Sequence, residues 1–160
     1  MSVVIGTSLN DTIITSFEDE SIFGRNGDDV IMSTGGDDVI NAGSGNDRVE
    51  GGNGADDIFG AAGNDFLFGG RGDDTINGGA GVDRIFGQTG NDTIFGGAGR
   101  DMLMGDSGQD FLDGGNARDT IKGGAGKDTI FGGGAADMLF GESGSDEING
   151  GRGNDTIDGG

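Results

Sequence analysis

The stretch GGNGADDIF at residues 51–59 decides how the rest of the chain is read. It recurs in the same phase as GGAGVDRIF (78–86), GGAGKDTIF (123–131) and GGRGNDTID (150–158). Outward from it, residues 6–158 divide into 17 units of nine without an insertion or deletion. Position six of the unit is Asp in 16 units and Glu20 in the other, position eight is always Ile, Val or Leu, and position four is Gly in 13. The departures at position four are Leu9, Glu18, Ala117 and Ala135. A fixed short period of this kind is the signature of a solenoid, in which each repeat buries its apolar residue only by stacking on its neighbours.

Composition agrees with such a chain and excludes several function classes. Of 160 residues 40 are Gly, and there is no Pro, Cys, His, Trp or Tyr. Disulfides, soft-metal sites and histidine chemistry are therefore absent. The formal net charge of −20 argues against nucleic acid or anionic lipid as partners. No apolar run is long enough to span a bilayer, and the first residues, MSVVIGTSLND, lack the basic and apolar regions of a conventional signal peptide. The acids could solvate a disordered chain, but disorder gives no reason for one phase held over 17 units. Nothing marks out a catalytic centre: the paired carboxylates repeat regularly, no nucleophile–base pair is evident, and no glycine loop opens a helix.

The unit G-G-x-G-x-D-x-U-x, U being aliphatic, resembles the RTX (hemolysin-type) calcium-binding repeats from residue 6 to residue 160. The resemblance implies an all-β fold, a right-handed parallel β-roll with two units per turn and Ca²⁺ held between the loops of successive turns. It also implies a secreted bacterial protein, exported unfolded by the type I route and folding on meeting calcium outside. An alternative is a structural or adhesive protein that assembles through its apolar sheet faces or its open ends. Ice binding, known among related rolls, would want regular outward rows, whereas position five includes Val82, Arg100, Arg118 and Lys127.

The repeat itself shows why calcium would be needed. The first six residues of a unit are read as a turn and the last three as a strand, with position eight inward and positions seven and nine outward. Unit n then stacks on unit n+2, so odd and even units form separate sheets, with Val4 as the inward residue of an incomplete unit at the start. Carboxylates fall into two files about 4.8 Å per step. One holds Asp11, Asp29, Asp47, Asp65, Asp83, Asp101, Asp119, Asp137 and Asp155; the other holds Glu20, Asp38, Asp56, Asp74, Asp92, Asp110, Asp128 and Asp146. Like charges at that spacing repel, and a hard divalent cation with oxygen ligands reverses the sign.

The expected Ca²⁺ ligands are the 16 aspartates of these files, with backbone carbonyls from the position-four loop glycines: Gly27, Gly36, Gly45, Gly54, Gly63, Gly72, Gly81, Gly90, Gly99, Gly108, Gly126, Gly144 and Gly153. Discounting gaps at unit two (TSFEDESIF, 15–23) and between Ala117 and Ala135, about 11–14 ions are expected. One aliphatic side chain per nine residues is too thin a core to offset backbone ordering, so the metal-free chain is expected to be disordered. On the outer face of the odd-unit sheet, Phe66, Phe68, Phe86, Met102, Met104, Met138 and Phe140 form a candidate interface for a second copy or an attached domain.

Overall fold

The computed structural model describes residues 2–160, and among them it holds only β-structure. Eighteen short strands form two nine-stranded parallel sheets. One runs through β1 (Ser2–Ile5), β3 (Glu20–Asn26), β5 (Val39–Ser44), β7 (Asp57–Ala62), β9 (Thr75–Ala80), β11 (Thr93–Ala98), β13 (Phe111–Asn116), β15 (Thr129–Phe131) and β17 (Glu147–Asn149). The other runs through β2 (Thr12–Ile14), β4 (Val30–Met32), β6 (Arg48–Asn53), β8 (Phe66–Arg71), β10 (Arg84–Thr89), β12 (Met102–Ser107), β14 (Thr120–Gly126), β16 (Met138–Gly144) and β18 (Thr156–Asp158). Each strand pairs 18 residues onward, as Ile58 with Ile76 and Ile85 with Leu103, so odd and even units do form separate sheets. This is a parallel β-roll of about nine turns.

The core is a single double file of aliphatic side chains. Position eight is fully buried from Ile22 to Leu139, with Val4 and Ile148 partly buried at the two ends. Ile157, in the outermost strand β18, is half exposed because no further turn covers it.

The strands are longer than the repeat suggests. Most do not stop at position nine but continue through positions one to three of the next unit, as in β8, which runs from Phe66 to Arg71; β1, β2, β4, β15, β17 and β18 end at position nine. The glycine pair thus belongs to the ladder and only positions four to six turn the chain. Identical backbones stacked one repeat apart can pair through Gly as well as through Ile, because the ladder uses only main-chain groups. Position one is buried, and its glycine is a matter of room. At Gly51 a β-carbon would lie 2.5 Å from Asp56 Oδ2 and 2.6 Å from the Gly69 carbonyl oxygen.

Candidate calcium-binding loops

Position six is where sequence and structure meet most closely. Each carboxylate except the first two, Asp11 and Glu20, accepts a hydrogen bond on Oδ1 from the position-six amide one turn earlier. Examples are Asp47 N–H to Asp65 at 2.8 Å, Asp74 N–H to Asp92 at 2.9 Å and Asp101 N–H to Asp119 at 2.8 Å. The rung is unbroken in both files, from Asp11 to Asp155 and from Glu20 to Asp146. Glu20 keeps its place in the file and is buried, its amide donating to Asp38 at 2.7 Å.

The second carboxylate oxygen has a different fate. In 13 aspartates and in Glu20 it is buried and has no hydrogen-bond partner among the described residues. A buried carboxylate oxygen without a partner is costly, and the group responds by holding its proton. Burial pushes Asp65, Asp74, Asp110 and Asp119 up to about 7, and Asp56, Asp92 and Asp101 to about 6. The amide rung opposes the shift, and neighbouring carboxylates of the file add to it.

These oxygens fit a hard cation. No three acidic side chains come together as a metal-sized cluster among the described residues, so a cation here must draw most of its ligands from the backbone. Position four supplies a file of carbonyls on the same edge. At Gly63 (φ +142°) a β-carbon would fall on the carbonyl oxygen of Gly45, one turn earlier. Carboxylate plus carbonyl oxygen in a loop of tolerant geometry is the donor set of Ca²⁺ rather than of Zn²⁺ or Mg²⁺. Ala117 and Ala135 hold the left-handed conformation too, at φ +80° and +85°, so alanine there keeps the turn at the expense of strain.

A second column of the loop, for which the repeat consensus has no fixed residue, also bonds turn to turn. At position five, Asn and Asp side chains accept the position-five amide of the next turn: Asn46 N–H to Asp28 Oδ1 at 2.7 Å, Asn64 N–H to Asn46 Oδ1 at 3.0 Å, and Asn91 N–H to Asp73 Oδ1 at 2.7 Å. These outer rungs are exposed and run from Asn10 to Gln109. The signal was present in the sequence as the excess of Asn and Asp at position five before residue 92.

A parallel roll whose loops stack buried carboxylates on carbonyls has the donor set of a cation-binding repeat protein. The chain matches the RTX calcium-binding nonapeptide repeat (4 copies) at residues 5–40, 32–67, 50–85, 59–94, 77–112, 104–139, 113–148 and 131–160, and it belongs to that family. It is a calcium-binding repeat module. No curated protein matches it.

On the outer face of the odd-unit sheet the apolar side chains are partly covered by the chain itself. Phe68 and Phe86 stack with centroids 5.0 Å apart, Arg48 lies over Phe68 at 4.7 Å, and Arg84 over Phe66 at 5.0 Å. Lys122 sits 5.8 Å from the Phe140 ring and pairs with Glu142 at 2.9 Å. Phe66 and Met138 are the most open of the seven, while Met102 and Met104 are half-buried. The opposite sheet carries an aromatic cluster of its own, Phe95, Phe111 and Phe131, with centroids 5.6–5.9 Å apart.

Proposed function

We propose that the chain is a calcium-responsive folding element of a secreted bacterial protein, with the position-six carboxylates and the position-four carbonyls as the ligands of about 11–14 Ca²⁺. The observation that carries this reading is the set of 14 buried carboxylate oxygens without a partner. Calcium, when bound, supplies positive charge and open coordination positions. The chain's part is to hold Oδ1 on the amide rung, which turns the second oxygen inward, and to keep glycine where a side chain would block the approach. The same rung aligns each loop with the one before it, so ordering one turn prepares the next.

In the low-calcium interior of a cell the files repel and the thin core cannot hold the roll, so the chain stays unfolded and exportable by the type I route. Outside, calcium binding becomes folding free energy. Circular dichroism during a calcium titration tests this. The expected result is a disordered spectrum in chelator and a β spectrum above roughly 10⁻⁴–10⁻³ M calcium, typical of extracellular modules. A β spectrum unchanged in excess chelator would remove the basis of the reading.

A second reading, association through the odd-unit sheet, is favoured by the exposure of Phe66 and Met138 at 38% and 43%. Phe68→Ser with Phe86→Ser should then weaken assembly in calcium without lowering the number of ions bound. A calcium-loaded monomer in sedimentation would count against it.

A further inference from the structure

We propose that the gap between the second and fourth units, Thr15–Phe23 and Ser33–Asn41, is closed by the chain's own hydroxyl groups and takes no calcium. This inference rests on the calcium reading of the other loops. It concerns one place where the donor set changes character, from acceptors awaiting a cation to acceptors already engaged by protons.

Three observations converge there. First, Asp38 is the one buried position-six aspartate whose second oxygen has a partner, the Ser33 hydroxyl, which donates to Oδ2. Ser33 stands at position one, where the central turns carry glycine, and its Oγ lies 3.1 Å from Thr15 Oγ1, the same position one turn earlier. Ser16 donates to Glu20 Oε1 at 2.8 Å. Thr34 donates to the Ser16 carbonyl at 2.8 Å and reaches the Thr15 carbonyl at 3.3 Å. Of the buried carboxylate oxygens in this gap, Glu20 Oε2 alone among the described residues is left without a partner, so a cation at the position-six file would find one buried oxygen free.

Second, the backbone is built differently. Position two is left-handed in the third unit and in every unit from the fifth to the seventeenth, from Arg25 and Gly43 to Gly151. Ser16 and Thr34 do not adopt that conformation, so their carbonyls are not presented as in the repeating turns. Third, β2 and β4, which lead into these two loops, stop at position nine, whereas β6 to β14 all continue into the next unit. A hydroxyl that donates to a carbonyl or carboxylate occupies the lone pairs a calcium ion would use. The device fixes the first turns to each other without metal, and the calcium array of the even file begins beyond it.

Counting bound ions by metal analysis after equilibrium dialysis, and by native mass spectrometry, tests the assignment. Glu20→Gln should leave the calcium count unchanged, whereas Asp92→Asn, in the interior of the same file, should lower it by at least one. Ser33→Ala should keep the count and lower the thermal midpoint of the calcium-loaded protein by a few degrees. A combined variant, Thr15→Gly, Ser16→Gly, Ser33→Gly and Thr34→Gly with Glu20→Asp, should gain one ion. Loss of an ion in Glu20→Gln, or anomalous scattering from calcium between Glu20 and Asp38 in a crystal, overturns the inference while leaving the calcium reading intact. Absence of bound calcium from the unaltered protein, or no loss in Asp92→Asn, overturns the calcium reading itself and the inference with it.

Discussion

The turns before Asn91 and those after Arg100 share a core and an inner ladder, yet they are tied together differently. In the first region, outer rungs at position five join loop to loop, from Asp28 N–H on Asn10 to Val82 N–H on Asn64. The last rung is Gln109 N–H on Asn91. In the second region position five reads Arg100, Gln109, Arg118, Lys127, Ala136, Ser145 and, in the last unit, Asn154, and beyond Gln109 the outer rungs cease among the described residues. At position four, two of its loops carry a β-carbon in a left-handed conformation, at Ala117 and Ala135, where the first region has glycine in every unit from Gly27 to Gly90. The earlier turns therefore hold neighbouring loops by hydrogen bonds that need no metal. The later turns place cationic side chains beside the carboxylates, as Arg118 does for Asp137, and depend on charge balance. One repeat can thus be stabilised in two ways while its core stays the same.

The largest expected effect of this difference lies in the order of unfolding. Each outer rung contributes about 0.5–1.5 kcal/mol net, and several of them separate the two regions. Stepwise chelation followed by amide hydrogen exchange should show protection lost first over residues 100–158. Residues 39–91 should exchange at least about tenfold more slowly at intermediate calcium, since roughly 1.4 kcal/mol is a factor of ten. Uniform loss along the chain would break the comparison.

Acid should act on both regions alike, because raised carboxylates occur in each: Asp65 and Asp74 in the first, Asp110 and Asp119 in the second. Their folded values, about 7, lie above the unfolded value near 3.9. The folded metal-free roll therefore binds more protons than the unfolded chain. That contribution to stability is fully present below about pH 4 and is lost as pH rises towards 7. Calcium-coupled folding starts from the unfolded chain, whose carboxylates are already deprotonated near neutral pH, so the calcium midpoint of folding should stay nearly constant between pH 8 and pH 6 and rise severalfold only as pH falls towards about 4. A titration monitored at both ends of the roll checks this, and a shift confined to one end would show that the inner ladders are not equivalent.

Substitutions at position four sharpen the contrast further. Gly99 has φ +141°, and a β-carbon there would fall on the Gly81 carbonyl. Gly99→Ala should cost about 3 kcal/mol or more, from backbone strain with a clash added. Ala117→Gly runs the other way. Relief of about 1–2 kcal/mol of left-handed strain is partly offset by the greater freedom of glycine in the unfolded chain. A net gain of about 0.5 kcal/mol, read as a higher denaturation midpoint in calcium, is expected. Equal tolerance of both changes would mean that the loops relax independently of the stack.

How much of this was legible follows from what the repeat encodes. The period of nine, the aliphatic eighth residue and the acidic sixth led directly to two parallel sheets, the core from Ile22 to Leu139 and the two carboxylate files. Strand length was not legible, because glycine pairs such as Gly69 and Gly70 suggest a turn, and only the stacked neighbour reveals that they pair as strand. The two oxygens of one carboxylate could not be told apart either. That Asp74 gives one oxygen to the Asp56 amide and leaves the other bare depends on register at the level of single atoms. The odd-unit face read as more apolar than it is, since placing Arg48 over Phe68 needs a diagonal between strands that a column of residues hides.

The smallest effect isolates the outer rung itself. Arg100 occupies position five, where Asn64 in the same file accepts the amide of Val82. Arg100→Asn should place a side-chain oxygen within reach of the Arg118 amide and add one rung to the later region, worth about 0.5–1 kcal/mol. Arg100→Ala removes the same positive charge without adding an acceptor and serves as its control. The asparagine variant should fold at lower calcium than the alanine variant, and amide exchange near Arg118 should slow in the asparagine variant alone. Coincident titrations of the two would show that the outer hydrogen bonds add nothing, and that the two regions differ only in charge.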